Sequence, residues 1–300
     1  MSSDHRSVLL IINPNSRTGN GSTPSVIERL QAAGLRPIVR DAPSRDKLSP
    51  MIEAEGADMS MVVVGGGDGT LNAAAAGVSA IKRPLAILPL GTANDLARTL
   101  GIPADIGEAI KIIGEGHTRL IDVGLVNGKM FFNVASLGMS ADLSQALTAD
   151  IKRRFGRLGY AIAAIRVVSR ARPFRATIKV GEKCHRSVTL QIAVGNGRYY
   201  GGGNIVEADA VIDDSTLRLY SLEFVKAWKI ILRFHSFRKG EHGNLEEVRT
   251  FRSNEFEIHT RRPRPINADG ELITQTPAIF SVIPKGIEVV VPRDSSPKST

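Results

Sequence analysis

Unbroken apolar runs alternate with amphipathic stretches through the first third of the chain, and shorter alternating runs take over after about residue 122. Val8–Ile12, Val62–Val64 and Leu85–Leu88 are apolar without alternation, the pattern of strands in a parallel sheet covered on both faces. Arg36–Arg40 reads as a further strand. Ser25–Ala33 reads as a helix with Gly34 near its C-cap, and Leu48–Glu55, Leu71–Gly77 and Asn94–Leu100 read as helices between the other strands. This β-α-β-α order predicts a doubly wound parallel sheet, with ligand loops at the carboxyl ends of its strands.

The later pattern is that of antiparallel strands. Leu120–Val126 and Lys129–Val134 flank Asn127-Gly128, a two-residue hairpin turn. Strand-like runs follow at Arg175–Val180, Val188–Val194, Thr216–Leu222, Glu255–Thr260, Phe280–Ile283 and Ile287–Val291. They predict an antiparallel β-sandwich or barrel-like unit, interrupted by helices over Ala141–Ala171 and Ala227–Phe237. The expected division is 1–124 for an α/β, Rossmann-like domain, 125–292 for the β-rich domain, and 293–300 for a flexible tail.

The length of 300 residues supports two cores. No run approaches the ~18 apolar residues needed to span a bilayer, and the first, Val8–Ile12, passes straight into Asn13-Pro14. A single cysteine, Cys184, excludes an internal disulfide and fits a reducing cytoplasm. The net charge of +9 is uneven: Ile151 to Arg186 holds eleven Lys/Arg and one acid, Glu182, and a second basic stretch spans Lys226–Lys239. Such charge suits an anionic membrane surface or phosphorylated ligands. Nucleic acid is the weaker reading, because no recognised binding module accompanies the charge.

The chemistry gathers in the loops. Val64 runs into Gly65-Gly-Gly-Asp-Gly69, and the alanine-rich helix follows. Glycines there let the backbone approach a ligand, with amides facing an anion. Asp68 among them would repel a phosphate unless a cation intervenes, so the loop points to phosphate plus metal. It is not a P-loop, since the Gly-Lys-Ser/Thr ending is missing. Three other segments fall at strand ends: Asn13-Pro-Asn-Ser16, Gly91-Thr-Ala-Asn-Asp95 with Thr92 and Asn94, and Asp122 in Ile121-Asp-Val-Gly124. Taken singly, these also read as turn formers, an N-cap and a hinge hydrogen bonder.

The core Gly66-Gly67-Asp68-Gly69-Thr70 resembles the loop shared by diacylglycerol kinases, sphingosine kinases, NAD kinases and phosphofructokinases. Added to Gly195–Gly203, Ala208–Asp214, Asn267-Ala-Asp-Gly-Glu271 and Gly286–Pro292, it makes the chain similar to the diacylglycerol-kinase catalytic-domain family, in its soluble bacterial lipid-kinase branch. The resemblance implies an ATP-dependent kinase with a nucleotide domain followed by a lipid domain. Asp269 would be the general base for a lipid hydroxyl, and Glu271 would support it. Asn13, Ser16, Gly66, Gly67, Asp68, Gly69, Thr70, Asn72, Gly91, Thr92 and Asn94 would form the nucleotide site. Asp68, Asp95 and Asp122 would hold Mg²⁺ largely through water. A second, structural divalent cation would sit on the Asp214 carboxylate and the backbone oxygens of Val211 and Thr216. The family often has Glu where this chain has Ala73, and Thr where it has Ala42, which bears on nucleotide affinity.

The expected acceptor is a glycerolipid or similar lipid, reached by peripheral docking of the basic helices on an anionic membrane. Which lipid it is, and the oligomeric state, stay open. An NAD kinase-like small-molecule kinase and a non-catalytic nucleotide- or lipid-binding protein are the alternatives.

Overall fold

The structure is a computed structural model, and it describes residues 6–16, 23–41, 44–139, 172–196, 199–200, 204–205, 212–223 and 248–293. Both expected helical inserts, both basic stretches' central residues, Ala42 and Val211 lie outside them. Among the described residues no helix is long and apolar enough to cross a membrane.

The first unit runs β1 (Arg6–Ile12), α1 (Thr23–Ala32), β2 (Leu35–Asp41), α2 (Arg45–Glu55), β3 (Met61–Gly66), α3 (Asp68–Ile81), β4 (Leu85–Pro89), α4 (Asp95–Thr99) and α5 (Ile106–Glu115). The strands are parallel in the order β4-β3-β1-β2. Val8–Ile11 and Val62–Val64 are fully buried, as expected of strands covered on both faces. Helix α5 has no counterpart in the sequence expectation, although its ends are signalled: the Asp105 carboxylate caps the Glu108 N–H, and Gly116 closes the helix in a left-handed conformation.

The β-rich unit comprises β5 (Thr118–Val126), β6 (Lys129–Phe131), β7 (Val134–Gly138), β8 (Phe174–Val180), β9 (Lys183–Gly195), β10 (Tyr199–Tyr200), β11 (Asn204–Ile205), β12 (Leu217–Glu223), β13 (Val248–Ser253), β14 (Glu255–Thr260), β15 (Pro265–Ala268), β16 (Glu271–Gln275) and β17 (Ala278–Val290). Its pairings within β5–β17 are antiparallel. Alternation decides which side chains enter the core: Phe174, Ala176 and Ile178 of β8 and Phe256 and Ile258 of β14 point inward, with the polar residues Arg175, Thr177 and Glu257 between them. Asn127 and Gly128 join β5 to β6 with φ of 49° and 77°, both positive, as a type I′ turn requires.

The two units share one sheet through β17. The expected strands Phe280–Ile283 and Ile287–Val291 are a single β17, irregular between Ile283 and Ile287. It pairs with β14 and β5, and Val289 meets Leu85 of β4 in parallel. Ile287, Val289, Val290 and Val291 therefore complete the core of the first unit. That core is discontinuous in sequence, and the expected division after Gly124 falls inside β5, whose partner strand serves both units.

Candidate active site

The glycine loop ends β3 and opens α3, with Gly67 as N-cap. Its neighbour is the loop after β4. A Cβ on Gly67 would stand 3.2 Å from the Gly91 Cα, and a Cβ on Gly91 would overlap the Gly67 backbone, so the two loops touch only because both residues are glycine. Asp68 Oδ1 accepts the Leu96 N–H at 3.0 Å, tying the mouth of α3 to that of α4 beside Asp95. Asn13 closes the third side: its Nδ2 donates to Thr70 Oγ1 at 2.9 Å, and its backbone N–H donates to the Gly65 carbonyl. The backbone at Gly67–Gly69 is half-buried and stands at the positive end of α3, a place that suits a phosphate.

Some expected nucleotide residues face elsewhere. Asn94 is left-handed at φ 51°, accepts the Gly91 N–H and donates to the Pro89 and Gly91 carbonyls, so it closes its own loop. The Ser16 hydroxyl donates to the Asn13 carbonyl and is a turn former. Asn72 points across the cleft: its Nδ2 donates to the Met130 carbonyl at 3.0 Å and to Asp269 Oδ2 at 3.1 Å. Thr92 is exposed and has no hydrogen bond among the described residues.

Asp269 sits in the turn joining β15 to β16, with φ of 48° followed by Gly270 at 94°. The expected Asp-Gly turn is there, and it aims the carboxylate at a row of amides. Oδ2 accepts the Phe132 N–H at 2.7 Å, and Oδ1 accepts those of Asn133 and Val134 at 2.9 and 3.1 Å. With Asn72, all four acceptor positions carry a donor, three of them fixed backbone groups. Desolvation by burial raises the Asp269 pKa to about 6; the nearby Asp68 charge adds to the rise, and the three amides oppose it. These amides have no side-chain signature, so the sequence offered no sign of them.

The three acids expected to hold Mg²⁺ through water form no cluster of direct ligands. Asp122 is 1% exposed; its Oδ1 accepts the Lys285 N–H at 2.8 Å and its Oδ2 the Ser215 N–H at 2.5 Å. Both donors are left-handed residues, at φ 50° and 55°, so Asp122 pins two strained turns at the seam. Among the described residues no group of three His, Cys, Asp or Glu side chains is placed to hold a metal. Asp68 fits an ion bound mainly through water and phosphate, because its Oδ2 has no partner among the described residues.

The second cation site does not fit either. Asp214 Oδ2 is paired with Arg218 Nη2 at 2.5 Å and Arg252 Nη2 at 2.8 Å, and Oδ1 accepts the Thr216 N–H. Two guanidiniums supply the positive charge that the cation was expected to supply.

Fold and site together fit a kinase: an α/β unit whose glycine loop opens a helix tied to a carboxylate of the following β-rich unit. Comparison with known proteins agrees. Residues 7–126 match the diacylglycerol kinase catalytic domain, and residues 133–291 match the YegS C-terminal NAD kinase beta sandwich-like domain. A diacylglycerol kinase of Bacillus subtilis (strain 168) is 29% identical over 253 residues, covering 81% of this chain and 82% of that protein. A Pseudomonas syringae pv. tomato protein named "Probable lipid kinase YegS-like" is 31% identical over 245 residues, covering 81% and 79%. The crystal structure of a diacylglycerol kinase from Bacillus anthracis str. Sterne shares the fold, with a TM-score of 0.81, 24% identity, and coverage of 98% of this chain and 99% of that one. The chain belongs to the bacterial lipid-kinase family that joins a diacylglycerol kinase catalytic domain to a YegS-type C-terminal domain.

Proposed function

We propose that this lipid kinase transfers the γ-phosphoryl group of ATP to a hydroxyl of a glycerolipid, diacylglycerol being the first candidate, at a membrane surface. The single observation that carries the reading is the hydrogen bond from Asn72, on the helix opened by the glycine loop, to Asp269 of the β-rich unit. It supports the reading because it joins the helix that follows the glycine loop to the Asp269 carboxylate through a single side chain.

The glycine-loop amides and Thr70 would seat the phosphates, with Thr92 at the cleft edge. A bound Mg²⁺ would supply charge neutralisation of the phosphates, with Asp68 holding it through water. In the transfer, a bond forms between the lipid oxygen and the γ-phosphorus, the bond from that phosphorus to the β-phosphate oxygen breaks, and ADP leaves. The hydroxyl proton goes to Asp269. Its acceptor positions are all filled at rest, so one donor must yield; Asn72 is the side-chain donor and can rotate, whereas the amides of 132–134 cannot. The basic stretches 151–172 and 226–239 would dock the enzyme on anionic lipid.

The test is transfer of labelled γ-phosphate to single lipids in mixed micelles, with Asp269→Asn in parallel. A labelled lipid that disappears with the variant supports the reading. Turnover that survives Asp269→Asn removes the base assignment, and labelling of NAD rather than any lipid would overturn the acceptor class.

A further inference from the structure

The phosphate cradle of this chain has no lysine of its own, and it carries an acid, Asp68, in its centre. A polyphosphate seated there needs positive charge from another element. The side chain of Arg45, at the start of α2, lies directly over the cradle: a Cβ on Gly69 would overlap Arg45 Nη2. On its other side, Arg45 Nη1 is paired with Glu271 Oε2 at 2.7 Å, and the same Gly69 Cβ would stand 3.5 Å from Glu271 Oε1. Three segments far apart in sequence therefore meet over one residue of the first turn of α3.

The electrostatics of that position are informative. The amino end of a helix favours anions and disfavours cations. A guanidinium over Gly69 is at the wrong end of α3, and Glu271 is the anion that accompanies it. The ion pair is half-exposed, at 54% and 44%, so it is weakly held and readily exchanged. A nucleotide phosphate on the loop would bring oxygens of higher charge to the same guanidinium, whose planar fork suits phosphate.

We propose that Arg45 is a phosphate ligand of the kinase site and that Glu271 is its resting counter-ion, so that nucleotide and Glu271 compete for one guanidinium. Glu271 then acts on nucleotide affinity rather than on the acceptor proton. Because Glu271 belongs to the hairpin that carries Asp269, arrival of the nucleotide also releases that hairpin from α2. The inference rests on ATP as the phosphate donor.

The decisive experiment is lipid-free calorimetric titration of the full-length protein with Mg-ATP, and separately with AMP. Wild type would be compared with Arg45→Ala, Arg45→Lys and Glu271→Gln, and thermal melts would check that each variant is folded. Arg45→Ala is expected to weaken ATP binding by about tenfold to a hundredfold, as for loss of a charge-assisted contact. Arg45→Lys should restore part of it, and AMP binding should hardly change. Glu271→Gln should tighten ATP binding, an effect in the opposite direction that a purely structural ion pair would not produce. ATP affinity unchanged in Arg45→Ala, or weakened in Glu271→Gln, would overturn the assignment. If wild type bound no ATP, the donor reading would fall by itself. Titration with tripolyphosphate would then decide on Arg45, since Arg45→Ala must lose affinity for it.

Discussion

Asp122 and Asp269 are both carboxylates clasped by backbone amides at the seam between the two units, yet they are suited to different work. Asp122 is sealed, receives two amides from left-handed turns and lies at the crossing of β5, β12 and β17. Asp269 is half-buried, receives three amides from one short turn, and takes its fourth donor from a side chain of the opposite unit. The same chemistry, an acid held by N–H groups, gives a structural pin where water and ligand are excluded. It gives a candidate reacting group where the residue keeps part of its surface open to solvent.

This contrast makes predictions that differ for the two acids. The largest effect belongs to Asp269→Asn, expected to lower turnover by about 10²–10⁴-fold, the usual range for a lost general base, with folding retained by circular dichroism. Asp122→Ala should do the reverse. It leaves the part-buried amides of Ser215 and Lys285 without their acceptor and is expected to cost about 1–3 kcal/mol in chemical denaturation, with turnover per folded molecule largely kept. Loss of turnover in folded Asp122→Ala would return Asp122 to the catalytic set.

Acidity offers a finer test. Asp269 must be ionised to take a proton, and its pKa of about 6 sets an acid limb in kcat/KM near pH 6. Turnover should fall about tenfold for each pH unit below it, whereas an ordinary aspartate would hold its charge to about pH 4. The smallest effect is that of Asn72→Ala. Removing a donor to the ionised carboxylate should move this limb upward by about 0.7 pH unit, since one hydrogen bond contributes about 1 kcal/mol and a pH unit is about 1.4 kcal/mol. A limb that stays in place would mean that Asn72 does not act on Asp269.

Much of the nucleotide unit was legible because its signals are local. A run such as Val62–Val64 followed by Gly65–Gly69 declares a buried strand and a strand-to-helix turn without reference to the rest of the chain, although the expected loop shrinks to Gly67 between β3 and α3. Asn127-Gly128 declared its turn in the same way. The strands β7, β13, β15 and β16 were not anticipated, because short, partly polar runs become strands only when a neighbour supplies their hydrogen bonds. The site was legible as residue types and illegible as connections. Asn72, Asn94 and Asp122 were all singled out, but for a nucleotide or metal role, and the structure turns each toward protein. Asn72 reaches a residue 197 positions away and Asp122 one 163 positions away. Arg45, by contrast, drew no attention, since a lone arginine at a helix start is ordinary until Gly69 and Glu271 surround it.

The sequence by itself determined the strands β1 to β4 and most of the helices of the first unit, though not α5, as well as where glycine bares the backbone and which acids are available. Periodicity, glycine and apolar content act over a few residues and need no partner. Only the tertiary structure decided what those acids do. The return of β17 to the first sheet brings the hairpin of Asp269 against α3, closes Asp122 from solvent and sets Glu271 against Arg45. Each of these depends on hydrogen bonds and charges between segments that have no local preference for one another, and burial and electrostatics take their values only once the chain has closed.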